Sequence, residues 1–130
     1  MTGYSELRIN RIARPEAASP MRHAMAAFLK ASGRVDCDLS DDIITAVGEA
    51  LANAVEHAYA GVEDDEVELF ARLENNGTLA VDVFDRGTFV KREPQPNRGF
   101  GMRIVEALAQ AVTVTVDDGT HIRMIFSLAK

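Results

Sequence analysis

The sequence has one cysteine, Cys37, so no disulfide can close within the chain. Its three histidines, His23, His57 and His121, are scattered, and none stands at a metal-site spacing from that cysteine. The lone thiol reads as a small or surface group, and this cysteine usage suits a reducing cytoplasm. No stretch reaches the roughly 20 apolar residues of a membrane span, and no cationic segment followed by an apolar run opens the chain. Neither a membrane anchor nor a secretory signal is therefore expected. Positive charge is also scarce: 14 Lys and Arg against 20 Asp and Glu leave a net charge of −6. That balance argues against a broad electrostatic footprint for nucleic acid or an anionic membrane. Any phosphate bound here must be held by a local device.

What remains is an ordinary globular composition, 47% apolar and 26% charged, over 130 residues. This suits a single domain, residues 1–130, with one real core. Residues 5–12 begin with alternation, Leu7 and Ile9 on one side, which predicts a strand. Pro15 and Pro20 mark a turn and a helix start, and Met21, Met25, Phe28 and Leu29 keep helical spacing up to Gly33. Ser40 is the expected N-cap of a long helix running to about Ala60, with Asp41 and Asp42 at its positive end and Gly61 as its stop. Ile44, Val47, Leu51, Val55 and Ala58 form the expected apolar stripe of that helix. Two alternating runs, 66–74 and 78–84, flank Asn76-Gly77, a strong hairpin signal. Residues 85–99 lose all periodicity, and a loop of that length is often functional. A helix is predicted from about Gly101, burying Ile104, Val105 and Leu108. A last hairpin turns at Asp118-Gly119. Hairpins imply antiparallel pairing, and three amphipathic helices need one face of a sheet, so the expected fold is a two-layer α/β sandwich. Its sheet is expected to be mixed and mostly antiparallel, with the helices on one face.

Four segments could carry chemistry. In the run from Glu49 to Tyr59, Glu49 and Asn53 lie four residues apart and project together from a helix. A carboxylate can take a proton from a hydroxyl, and an amide oxygen can ligate Mg²⁺. The same residues would equally suit the wet face of an amphipathic helix. Asp85-Arg86-Gly87 closes a strand; it reads either as an ordinary turn or as a buried acceptor for an exocyclic amino group such as that of adenine. Asn97 to Met102 opens a helix. Its two glycines let backbone N–H groups approach a phosphate, the helix N-terminus favours anions, and Arg98 adds charge. A plain glycine-rich loop onto a helix is the alternative. The segment is neither a dinucleotide fingerprint, lacking the preceding strand and a third glycine, nor a Walker loop, lacking Gly-Lys-Ser/Thr. Gly119-Thr120 reads as a hairpin turn.

Taken in order, these segments resemble the N box, G1 box, G2 box and late Gly-Thr of the GHKL (Bergerat-fold) ATPases, the group that includes gyrase, histidine kinases and a heat-shock chaperone. The resemblance spans residues from about 40 to 128. Within that group, Glu-Ala-Leu-Ala-Asn-Ala-Val-Glu-His-Ala-Tyr and Arg-Gly-Phe-Gly-Met-Arg-Ile-Val look most like the anti-sigma-factor serine kinases. The resemblance implies ATP and Mg²⁺ as cofactors. It implies Glu49 as general base or orienting carboxylate, Asn53 as Mg²⁺ ligand, and Asp85 on the adenine amino group with Gly87 letting the base approach. It implies that Gly99 and Gly101 cradle the phosphates beneath a lid at 88–98, that Met102 is part of the ATP site, that Arg98 reaches the γ-phosphate, and that Thr120 supports the adenine end. His57 matches the motif without an assigned role. The G1 pattern asks for a second glycine two places after Gly87; Phe89 stands there, which either redirects the chain beside the nucleotide or covers the adenine or ribose.

By the same resemblance the protein would phosphorylate a Ser or Thr of a STAS-domain anti-sigma antagonist and hold a sigma factor in check. A homodimer paired through the N-terminal strand is the expected assembly. Two other readings stand beside this one. The first is a nucleotide-gated binding switch without phosphoryl transfer, against which Glu49 argues, since a pure binder needs no base. The second is the catalytic domain of a histidine kinase, for which residues 1–38 are too short and too strand-like to supply a phosphoacceptor helix pair.

Overall fold

A computed structural model describes residues 4–61, 66–85, 99–116 and 119–128. The chain runs β1 (Tyr4–Ile12), a 3-10 turn (Pro15–Ala17), α1 (Ala18–Ser32), α2 (Cys37–Gly61), β2 (Glu66–Glu74), β3 (Thr78–Asp85), α3 (Gly99–Leu108), β4 (Ala111–Val116) and β5 (Thr120–Ser127). The five strands form one sheet in the order β1-β2-β3-β5-β4. All four pairings are antiparallel, so the sheet is not mixed.

Strand alternation decides which face is buried. Across β2, β3 and β5 the rows Leu69–Val83–Ile122, Ala71–Val81–Met124 and Leu73–Leu79–Phe126 are aligned, and every member is buried. The helices lie on this face. Met21, Met25 and Leu29 of α1, Ile43, Ala46, Val47, Ala50, Leu51, Ala54 and Val55 of α2, and Val105 of α3 join the same core. The result is the expected two-layer sandwich, with α2 packed between α1 and α3 over the central strands.

Several boundaries differ from the sequence reading. The long helix begins four residues early, at Cys37, because Asp36 rather than Ser40 caps it: Leu39 N–H donates to Asp36 Oδ1 at 2.8 Å. Ser40 lies inside the first turns, and the first-turn acid is Asp38 rather than Asp41 or Asp42. The buried stripe of α2 starts from Ile43, and Ile44 is only partly buried. The preceding helix begins at Ala18, two residues before Pro20. It ends as expected at Gly33, whose φ of 67° places it in the left-handed region that glycine occupies without steric cost. Between β2 and β3 the turn is one residue longer than a two-residue Asn-Gly hairpin. Gly77 N–H donates to Glu74 O at 3.0 Å, Asn75 and Asn76 occupy the centre, and Gly77 follows with φ 91°. The Arg34 guanidinium clamps this hairpin from the α1–α2 connection, donating to Glu74 O and Asn75 O at 3.0 Å each. Among the α3 side chains the structure describes, Val105 is fully buried, Leu108 is partly buried and Ile104 is 37% exposed. α3 packs against α2 and against the edge strand β4.

Candidate functional site

Asp85 is the last residue of β3 and stands two residues beyond Val83, on the core face. Thr120 opens β5 two residues before Ile122, on the same face. The antiparallel register pairs Asp85 with Thr120 directly, and with Val67 on the β2 side. Asp85 is 5% and Thr120 8% exposed, and the Oδ2 atom of Asp85 is fully buried. These two polar residues close an inner face of β2, β3 and β5 that is otherwise apolar. A carboxylate in such a place is costly unless polar groups answer it. At the end of a strand, on the face that carries the helices, it could accept a hydrogen bond from a planar donor.

The second part of the site is α2. Glu49 and Asn53 are half-buried and one turn apart, while Ala50 and Ala54 beside them are buried in the core. The sequence builds this contrast by setting alanines on the buried side, so the helix lies close to β3 while the polar pair stays at the margin of the core. The two side chains therefore point away from the main apolar contact. His57 lies in the last turns of α2.

The third part is the N-terminal turn of α3, where Gly99 and Gly101 sit within a helix that packs against α2. The helix starts at Gly99, two residues earlier than the periodicity predicts. Its free N–H groups and dipole suit an anion. Met102 is partly buried against the core. Gly87, Phe89, Arg98 and the lid expected at 88–98 lie outside the described residues.

The structure thus brings Asp85 and Thr120 into one row and keeps Glu49 with Asn53 on one helix. It sets the glycine-rich helix start against that helix. Among the described residues no group of three or more His, Cys, Asp or Glu could hold a metal ion, so any divalent cation would depend on few protein ligands. An amide oxygen such as that of Asn53, completed by phosphate oxygens, meets that condition. Cys37 is a free, exposed thiol. No described helix is long and apolar enough to cross a membrane. One cluster escaped the sequence reading. Asp82, His121, Arg123 and Phe84 meet on the opposite sheet face, where strand alternation by itself predicts solvent-facing side chains.

Comparison with known proteins agrees with this geometry. The model of one protein family, the histidine kinase-like ATPase domain, matches residues 12–126. The chain is similar to the serine-protein kinase RsbW of Listeria innocua, 25% identical over 139 residues that cover 95% of this chain and 87% of that protein. It is similar to the anti-sigma F factor of Clostridium beijerinckii, 24% identical over 133 residues that cover 93% and 92% of the two chains. Among solved structures it superposes on the RsbU and RsbW domains of a Mycobacterium tuberculosis protein with a TM-score of 0.74 and 26% identity. That match covers 95% of this chain and 32% of the other, so this chain spans about a third of that protein.

Proposed function

Because this chain belongs to the histidine kinase-like ATPase domain family, we propose that it is an ATP-dependent serine/threonine protein kinase acting as an anti-sigma factor. The observation that carries the reading is the buried Asp85–Thr120 pair closing an apolar sheet face. A carboxylate fixed there accepts a hydrogen bond from an exocyclic amino group, which adenine has and guanine lacks at the equivalent edge. The relatives named as a serine-protein kinase and as an anti-sigma F factor support the finer assignment.

Asp85, with Thr120 and Gly87, would hold the adenine end. Asn53 would supply an oxygen to Mg²⁺. Gly99, Gly101 and Met102 at the start of α3, with Arg98, would hold the phosphates. ATP supplies the γ-phosphoryl group when bound. Glu49 takes the proton from the Ser or Thr hydroxyl of the substrate or orients that hydroxyl for attack. Kinases of this kind work mainly by positioning and by electrostatic stabilisation of the transferring group, which suits a site with one carboxylate base and little other acid–base equipment. The substrate would be a STAS-domain antagonist and the restrained partner a sigma factor, both met in the cytoplasm.

The test is phosphate incorporation into a STAS-type protein from labelled Mg²⁺-ATP. The phosphate should be acid-stable, as on Ser or Thr, and not acid-labile, as on His. Glu49→Gln should keep the fold and nucleotide binding while slowing transfer by about 10²–10⁴, the usual worth of a general base. A wild-type protein that binds ATP yet transfers nothing, with Glu49→Gln still regulating its partner, would replace the kinase by a nucleotide-gated switch.

A further inference from the structure

The sheet face opposite the helices holds a buried carboxylate for which the nucleotide site has no use. Asp82 is 3% exposed. Its Oδ1 lies 2.6 Å from His121 Nε2 and 3.0 Å from Arg123 Nε. A carboxylate only accepts, so Nε2–H is the donor. The His121 ring in turn stacks on Phe84, with centroids 4.2 Å apart and planes inclined by 16°. Phe70 stands opposite Asp82 on β2, and the Arg8 guanidinium lies 4.5 Å above the Phe70 ring.

The register gives this cluster its meaning. Phe84 pairs with His121, and the next row along β3 and β5 is Asp85 with Thr120. Successive side chains point to opposite faces, so the Phe84–His121 stack backs the inner polar pair. That inner pair is the last row of the β3–β5 ladder, because β3 ends at Asp85 and β5 begins at Thr120. His121 reaches diagonally from its own row to Asp82, which pairs with Arg123 one row on from Val83–Ile122. The ring thus ties the end of the ladder to a row well inside it, a diagonal cross-strand contact of the kind that stabilises sheets.

We propose that Phe84, His121 and Asp82 form a positioning device that holds the β3–β5 strand ends in register, so that Asp85 and Thr120 present a fixed edge to the adenine. This rests on the nucleotide reading given above. None of the three touches the nucleotide; they act through the backbone of the residues beside them.

Calorimetric titration of the full chain with Mg²⁺-ATP, alongside thermal unfolding, tests it. His121→Ala should weaken ATP binding by about fivefold, the upper end of what one cross-strand pair contributes. Arg123 remains to pair Asp82 in that variant, so the fold should hold. His121→Phe keeps a ring to stack on Phe84 but loses the hydrogen bond to Asp82, so it should recover only part of the affinity. Phe84→Leu keeps the apolar volume without the stack and should reproduce the His121→Ala loss, which covers the case in which His121→Ala does not fold. Wild-type affinity in both His121→Ala and Phe84→Leu would overturn the proposal, as would full recovery in His121→Phe, which would leave Asp82 no part in the device. Asp85→Asn is the control: if it also binds ATP normally, the adenine assignment itself has failed, whereas weakened binding there with normal binding in the other variants removes the positioning device alone.

Discussion

At the residue scale, the proposed nucleotide reading turns on Asp85, whose carboxylate lies at the end of β3 in a face that is otherwise apolar but for Thr120. Asp85→Asn replaces one of its oxygens by an NH₂ that, in the proposed site, would meet the adenine amino group donor to donor. The expected cost to ATP binding is about 1–3 kcal/mol, that of a buried polar mismatch, read by calorimetry on a variant shown to be folded. Unchanged affinity would remove Asp85 from the site. Asn53 answers to a different test. It is half-buried on the margin of α2, so Asn53→Ala should leave the core intact. It should lower affinity for Mg²⁺-ATP more than for metal-free ATP, because in the proposed role the change would remove a metal ligand and not a contact to the base. Equal losses with and without Mg²⁺ would contradict that role. Glu49→Gln, by contrast, should separate binding from transfer.

At the scale of elements, the long helix shows how a cap is chosen. Both Asp36 and Ser40 are acceptable N-cap residues by type, and the sequence alone favours Ser40 because two acids follow it. The structure assigns the cap to Asp36, whose side chain accepts from Leu39 N–H and whose carbonyl accepts from Ser40 N–H at 2.9 Å. Asp36→Ala should therefore cost about 1 kcal/mol of stability. Ser40→Ala, inside the helix, should cost almost nothing or help slightly. Urea unfolding of the two variants distinguishes these outcomes, and a larger loss for Ser40→Ala would show the helix starting where the sequence pattern puts it. The same logic explains the turn between β2 and β3. Asn76-Gly77 marks the hairpin correctly, but the loop is three residues long and Gly77, at its end, takes a positive φ.

At the scale of the whole molecule, the sheet has two edges. β1 is one of them, nine residues long and paired only with β2. Ile12 and Tyr4, at its two ends, are 44% and 39% exposed. A long edge strand with apolar ends is a ready template for pairing with another chain. A second copy of this chain adding its β1 would give the proposed homodimer. Light scattering at high micromolar concentration should report twice the monomer mass, and a proline at Arg8, in the middle of the strand, should shift it toward monomer. A monomer under the first condition would contradict the assembly.

How much of this was legible beforehand follows from the range of each signal. Element order, the inward residues of β2, β3 and β5, the pairing of Glu49 with Asn53 and the left-handed glycine at position 33 all follow from neighbours within a few residues, so periodicity and turn chemistry determined them. The order of the four motifs along the chain determined the family in the same way, since it is a property of sequence alone. Tertiary structure decided what depends on residues far apart. Ile104 and Val114 keep the correct spacing for burial, yet they are 37% and 48% exposed because they lie on the last helix and the edge strand, where too little chain covers them. Asp82 occupies an outward position on an alternating strand, yet it is buried, because His121 and Arg123 arrive from β5 some 40 residues later. Asp85 and Thr120 become a site only when the β3–β5 register lays one against the other. Local pattern fixes which way a side chain points, whereas the packing of distant elements fixes what it meets there.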